Sequence, residues 1–172
     1  MESKIKVAGH PIHPMLIVFP LGLLATAVAF DIVGLVSSDA AWFTISFWMI
    51  AAGVIGGLLA ALPGTIDWWA IPRNTRAKAI GLWHGGGNVL VVVLFIISWF
   101  MRRANGNVPG SGALVLSFVA VALALVTGWL GGELVDRLGV GVDRGAHLDA
   151  PSSLSGRPAT ENENPPAMRR AG

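Results

Sequence analysis

Two histidines and two acidic residues of this chain recur at matching places along its long apolar segments. His13 and His84 stand near the start of the first and third segments, and Asp67 and Glu133 stand near the end of the second and fourth. If successive segments run up and down, all four side chains lie at the same end, and a pseudo-twofold axis along the segments would bring them toward the centre. Two imidazoles with one or two carboxylates suit a divalent transition metal.

The same histidines are compatible with two other kinds of chemistry. Two imidazoles from different helices can hold haem iron axially, as membrane b-type cytochromes do. The run Gly85-Gly86-Gly87 after His84 would leave room for a flat macrocycle or, equally, for a neighbouring helix. Histidines beside acids can also relay protons. His84 is the strongest candidate, because an ionisable residue inside a membrane segment is a functional candidate by default.

Each candidate also has a structural interpretation. The pairs His10-Pro11 and His13-Pro14 mark the entry to the first apolar segment, where a histidine can lie at the interface with headgroups and water. We assign His13 as a ligand and give His10 a supporting or interfacial role, because His13 is nearer to the segment. Asp67, which two tryptophans follow, can simply cap and anchor a helix end.

Two further polar residues bear on these assignments. Arg137 follows Glu133 at the helical i, i+4 spacing and offers it a structural ion pair. Asn88 follows His84 by one turn and can orient that imidazole or bond to another helix. The predicted metal ligands are His13, His84, Glu133 and Asp67, the predicted haem ligands are His13 and His84, and the supporting residues are His10 and Asn88.

The composition predicts the elements that must position these side chains. The 172 residues are 53% hydrophobic and 13% charged, whereas soluble domains carry about 25% charged residues. A helix needs roughly 20 apolar residues to span a bilayer, and four segments qualify, at about 14–36, 42–66, 79–101 and 112–134. Because only helices and closed barrels satisfy the backbone in lipid, we predict an all-α integral membrane protein, an up-down bundle of four helices.

The basic residues predict the orientation of this bundle. Most of them lie before the first segment, between the second and third, and after the fourth, which places both termini in the cytoplasm by the positive-inside rule. The other side holds Arg102 and Arg103 and a first loop with only Asp39. Asp31 is the one ionisable residue near the outer end of a span, so a continuous path for protons or ions is the weakest hypothesis.

The chain divides into three parts on composition. Residues 1–13 form an N-terminal interfacial segment, residues 14–145 the four-helix domain, and residues 146–172 a tail rich in Pro, Ser, Asn and Glu. Such a tail buries too little apolar surface to order itself, so we predict that it is disordered.

Several classes of function are excluded or disfavoured by the sequence. The chain has no cysteine, which excludes disulfides and thiolate ligands. A formal net charge of +2 without a basic groove gives no reason to expect nucleic acid as a partner. No phosphate loop, nucleophile elbow or metalloprotease motif is found, so an enzyme is the less favoured class. The serines and threonines of the spans lack a nearby base, and we expect them to bond backbone carbonyls.

Four ordered motifs resemble one family of bacterial membrane proteins. They are GHPIHPMLIVFPLGL, ALPGTIDWW, LWHGGGNVL and TGWLGGELVDRLGVGVDRG, and together they cover about residues 9–145. The family is known as domain of unknown function 2231, and it has a similar plan of four spans. Relatives fused to Rieske or cytochrome-type domains imply a redox context. Relatives that carry histidine at the position of Glu133 imply a metal-facing position, and the glutamate here argues against a bis-histidine haem that uses this position.

The leading hypothesis combines the apolar segments, the positions of the histidines and acids, and the family resemblance. We expect a multi-pass protein of the bacterial cytoplasmic membrane with a haem b or divalent-metal site near the inner leaflet, acting in electron transfer with a redox protein partner. The alternative is a non-enzymatic scaffold or partner subunit of a redox or transport complex, for which the glycine-rich helix faces are the marker. The bilayer is the expected environment, and a homo-oligomer is compatible with either hypothesis.

Overall fold

Four long helices build the computed structural model, which describes residues 1–163. A short antiparallel hairpin, β1 (Lys6–Val7) and β2 (His10–Pro11), precedes the bundle. The helices are α1 (Ile12–Ser37), α2 (Ala40–Ala70), α3 (Arg76–Arg103) and α4 (Ser111–Gly132). A π-helical turn, Glu133–Arg137, extends α4, and a 3₁₀ turn, Ser153–Ser155, lies in the C-terminal segment. All four helices are long and apolar enough to cross a membrane, which confirms the predicted fold class.

The helices form an up-down bundle in which sequence neighbours are also neighbours in space. α1 packs along α2 and α3 along α4, while α2 meets α3 and α4 meets α1, so α1 and α3 face each other across the bundle. Its core includes Leu24, Val28, Ile50 and Phe95. Gly53 of α2 is pressed against α1, since a Cβ there would lie 2.7 Å from Leu24 side-chain atoms. Small residues thus let the helices of the first hairpin approach closely.

A buried ion pair joins all four helices at the end away from the histidines. The Arg102 guanidinium of α3 donates from Nη1 and Nη2 to the two carboxylate oxygens of Asp31 on α1, at 2.7 and 2.6 Å. Both side chains are fully buried. The same guanidinium donates to Ser46 of α2, Ser98 of α3 and Ser117 of α4, at 3.3, 3.2 and 3.0 Å. Every helix therefore contributes an acceptor to one cation.

This arrangement corrects the sequence prediction for Arg102. A loop position was predicted because the third span was expected to end near residue 101, but α3 continues to Arg103 and turns Arg102 into the bundle. A cation in the apolar interior is tolerated when a counter-charge and further acceptors replace water. Asp31 and the serines do so. Ser98 also donates to the Ala113 carbonyl at 2.8 Å, the kind of bond expected of the span serines.

The N-terminal hairpin and the C-terminal segment pack together at the histidine end. The Met1 amino group donates to the Gly139 carbonyl at 2.6 Å, and the Met1 carbonyl accepts from Gly141 at 2.7 Å. Ser153 donates to the Ala8 carbonyl at 3.1 Å. Ser153 thus lies against the N-terminal segment, and the disorder of the tail over residues 146–172 stays a prediction. Residues 164–172 of that prediction lie outside the described residues.

The ion pair yields a stability prediction. Asp31→Ala leaves the Arg102 charge buried without its counter-ion, which typically costs about 3–5 kcal/mol. We expect a loss of that order in the free energy of unfolding, measured by chemical denaturation in detergent micelles. Asp39→Ala is the matched control, because Asp39 is an exposed helix cap that accepts from Ala41, and a lost cap costs only about 1 kcal/mol.

A double variant separates the charge from the packing. Asp31→Leu with Arg102→Met removes both charges and keeps apolar volume, which is often neutral or stabilising for buried ion pairs. We expect it to recover most of the lost stability. Equal stability of Asp31→Ala and Asp39→Ala would contradict the importance of the pair.

Candidate functional site at the histidine end

His13 lies in the first turn of α1 and turns its ring toward α2. The hairpin leads directly into this turn, and Pro11, in the extended conformation, occupies the position before the helix. The Nδ1 atom of His13 is 2.8 Å from the carbonyl oxygen of Ala60. One turn further along α2, the ring packs against Gly64, where a Cβ would lie 2.8 Å from the imidazole. A carbonyl and a glycine on α2 thus define the position of the ring.

His84 is held in the same way in the second hairpin. Its Nδ1 is 2.8 Å from the carbonyl oxygen of Thr127 on α4, and the ring packs against Gly131, where a Cβ would lie 3.0 Å away. Thr127 and Gly131 are four residues apart, as are Ala60 and Gly64. The histidine part of the predicted internal repeat is therefore present in the structure.

The two rings meet across the bundle. Their centroids are 6.4 Å apart and their planes are perpendicular. A carbonyl oxygen can only accept, so each Nδ1 carries a hydrogen, and the neutral form of such a ring has Nε2 unprotonated. An Nδ1–H donated to a main-chain carbonyl is the usual outer-shell arrangement of a metal-bound histidine, because it fixes the tautomer and the ring orientation.

Asn88 ties the second histidine to α4. Its amide nitrogen donates to the His84 carbonyl at 2.9 Å and lies 3.4 Å from Nε2 of the same residue. Its amide oxygen accepts from the Thr127 hydroxyl at 3.0 Å. The residue therefore makes both predicted kinds of contact, since it contacts the imidazole and also bonds to another helix.

The two acids are engaged elsewhere. Asp67 accepts from the Ser3 hydroxyl at 2.7 Å and from the Lys4 amide at 2.6 Å, so it fastens the N-terminal segment to the end of α2. Glu133 accepts from Arg76 at 2.6 Å, rather than from Arg137, the residue at i, i+4.

The predicted four-residue metal site, His13, His84, Glu133 and Asp67, is therefore not assembled. Within residues 1–163, no group of three or more His, Cys, Asp or Glu side chains could hold a metal ion. The acids lie near the ends of their helices, where polar partners of the loops reach them first. What the structure brings together is a pair of imidazoles.

Two imidazoles are fewer protein ligands than a bare metal ion usually has. A protein site for zinc usually has at least three protein ligands, whereas a haem supplies its equatorial ligands itself and would need only axial ligands from the protein. His13 and His84, with ring centroids 6.4 Å apart, are the residues that could hold such a group.

Only one glycine of the run Gly85-Gly86-Gly87 packs against a neighbouring helix, and His10 lies outside the bundle. A Cβ at Gly85 or Gly86 would have no neighbour within 4 Å, whereas at Gly87 it would lie 2.5 Å from the Thr127 methyl group. Gly87 therefore serves close packing of α3 on α4. His10 is exposed, with Nε2 3.3 Å from the Ser153 hydroxyl, and it lies on the surface of the terminal segments.

Sequence reasoning missed the acceptors of the two histidines. Main-chain carbonyls have no side-chain signature, so Ala60 and Thr127 could not be identified by residue type. The glycines four residues later offered a signal, since Gly64 and Gly131 each follow the acceptor by one turn near the end of an even-numbered helix.

Comparison with known protein families finds a match over most of the chain. The family described as Predicted membrane protein (DUF2231) matches residues 9–144. No curated protein and no solved structure matches the chain.

The packing of glycine on imidazole gives a second prediction. Gly64→Ala places a methyl group 2.8 Å from His13 ring atoms, and overpacking of this kind typically costs about 1–3 kcal/mol. We expect a loss of that size in unfolding free energy, measured in micelles. In the matched control, Gly86→Ala, the methyl group meets no neighbour, so the higher helix propensity of alanine should leave stability unchanged or raise it by up to about 1 kcal/mol. Equal effects of the two variants would contradict the described position of His13.

The contact between the terminal segments predicts a dependence on pH. Lys6 donates to Asp143 and to Glu2. The hydrogen bond to Asp143 raises the pKa of Lys6, and the hydrogen bond from Lys6 lowers the pKa of Glu2. The Glu2 carboxylate stabilises the contact fully above its ordinary pKa of 4.5. This stabilisation is lost as the pH falls through the lowered pKa of Glu2. The Lys6 ammonium stabilises the contact fully below its ordinary pKa of 10.5. This stabilisation is lost as the pH rises through the raised pKa of Lys6.

A spin label reports on this contact. The chain has no cysteine, so Leu154→Cys, at an exposed position of the C-terminal segment, can be labelled alone. We expect low label mobility between the two pKa limits and higher mobility outside them. In Lys6→Gln, mobility should be higher throughout and the alkaline change should disappear, and a profile identical to that of the parent would refute the prediction.

Proposed function

We propose that this chain, which belongs to the DUF2231 family of predicted membrane proteins, binds haem between His13 and His84 and exchanges electrons through it. The observation that carries the proposal is the relation of the two imidazoles. Each donates Nδ1–H to a main-chain carbonyl, and the rings meet edge-on, with perpendicular planes and centroids 6.4 Å apart. In its neutral form each ring therefore presents the lone pair of Nε2, the atom through which it would bind the haem iron.

In this proposal the protein's own residues fix the two ligands before a cofactor arrives. The carbonyls of Ala60 and Thr127 hold each imidazole in the tautomer with Nε2 unprotonated and increase its basicity. Asn88 lies 3.4 Å from the Nε2 of His84 and would have to give up this long contact to the iron. When bound, the haem would supply one-electron exchange.

The surroundings favour a partner at the histidine end. Both histidines are half-buried in the bundle, and the terminal segments form a polar layer at this end, with Lys6, Asp143 and Arg144 near its surface. A charged surface close to the cofactor suits transient contact with a redox protein, because charge complementarity steers such encounters. We propose that this end faces the cytoplasm of a bacterial cell, since most basic loop residues lie on it.

An absorption spectrum tests the proposal. The protein is expressed with added iron and haem precursor, purified in detergent, and assayed for haem and iron content. We expect a reducible haem spectrum and about one haem per chain, given one histidine pair. His13→Ala and His84→Ala each remove a proposed ligand of the haem iron, and both should lose nearly all bound haem. The loss should exceed the roughly 10–100-fold drop in affinity that follows when a metal ligand loses only its outer hydrogen bond.

Two control variants retain the histidine pair. His10→Ala removes an exposed imidazole, and Glu133→Gln removes a carboxylate that Arg76 already engages. Both should keep the parent haem content. A colourless, metal-free preparation would overturn the proposal and favour the alternative of a scaffold or partner subunit. An unchanged spectrum in His13→Ala or His84→Ala would show that other residues ligate the haem.

A further inference from the structure

A groove lies between α2 and α3 at the end opposite the histidines. It has a volume of about 380 Å³ and is lined by Phe47, Trp48, Trp99, Arg103 and Asn107. Phe47 and Trp99 are stacked at 4.9 Å, and Trp48 meets Phe47 edge-on at 5.3 Å. Trp48 is 62% exposed on a helix that spans the membrane, so the groove opens toward lipid. Its walls are therefore mainly aromatic.

The groove contains a cation whose charge no acid neutralises. Arg103 ends α3 and lies with its guanidinium 5.5 Å from the Trp99 ring. Among residues 1–163, none of the ion pairs includes Arg103, whereas the adjacent Arg102 is neutralised by Asp31. A guanidinium presents donors in a fork that matches a phosphate group. The positive charge of the groove is therefore available to an anion.

A second polar group of the groove also lacks a partner. The indole Nε1 of Trp99 is enclosed but has no hydrogen-bond acceptor within the described residues. An unpartnered N–H shielded from water carries a free-energy penalty, and tryptophans near a membrane interface usually find an acceptor there.

We propose that the groove binds a phospholipid of the adjacent leaflet. Its phosphate lies on the Arg103 guanidinium, beside the Asn107 side chain, and an acyl chain follows the exposed face of Trp48. The position supports this occupant, because Arg103 is the last residue of a membrane-spanning helix and so lies where headgroups begin. A neutral flat ligand would use the aromatic walls but leave the guanidinium charge without a counter-ion.

The proposal is independent of the haem assignment. The groove and the histidine pair lie at opposite ends of the bundle, and no residue belongs to both. Lipid binding can therefore succeed or fail whether or not the protein carries a cofactor.

Native mass spectrometry of the full chain tests the site. Detergent-purified protein is titrated with phosphatidylglycerol and, separately, with a diacylglycerol of the same acyl chains that lacks the phosphate. Hydrogen bonds to charged groups contribute about 1.5–3 kcal/mol, so the first phosphatidylglycerol should bind roughly 10-fold or more tightly than the diacylglycerol. Arg103→Gln should remove most of that difference.

Two comparisons make the result specific to the groove. Arg73→Gln is the matched control, because Arg73 is an exposed arginine at the other end of the bundle, and it should leave the first binding step unchanged. A photoreactive acyl chain should label the segment with Trp48 or the segment with Trp99. Equal affinity for both lipids, equal losses in Arg103→Gln and Arg73→Gln, or labelling elsewhere would each overturn the proposal.

Discussion

The buried pair of Asp31 and Arg102 fixes the depth of the helices relative to one another. A charge inside a membrane bundle is tolerated only where its counter-charge and its hydrogen-bond partners stand at the same height. Asp31 on α1 supplies the counter-charge to Arg102. Ser46 on α2 and Ser117 on α4 supply hydrogen-bond acceptors at the same height. A slide of any of these helices by one turn would separate its side chain from the guanidinium. The pair therefore sets one register for the whole bundle.

That register also determines what happens at the far end. α1 and α3 run in the same direction, and Asp31 and Arg102 are 71 residues apart, as are His13 and His84. When the ion pair aligns the two helices, the histidines necessarily reach the same depth. The two ends then differ in chemistry, since the ion pair satisfies its own donors and acceptors, whereas each imidazole bonds a carbonyl through Nδ1 and Nε2 of His84 has only a long contact with Asn88.

The predictable parts of this protein are those that hydropathy and topology control. Four apolar segments give four helices, and the up-down order brings His13 and His84 to one end. The partners of the acids were not predictable, because Ser3, Lys4 and Arg76 lie in segments whose course depends on the folded loops. Arg102 was misplaced because hydropathy ends a span at a charge and cannot show that Asp31 compensates it.

The duplicated environment of the histidines argues for more than helix packing. Packing alone would be served by any small residue opposite any apolar side chain, and the glycine at position 87 shows that ordinary solution against a threonine methyl group. At Gly64 and Gly131 the glycine instead accommodates an imidazole whose Nδ1 is bound to a carbonyl one turn earlier. Each hairpin therefore holds its histidine by the same pair of features, a carbonyl at Nδ1 and a glycine one turn later, and the proposed haem site depends on this repeated arrangement.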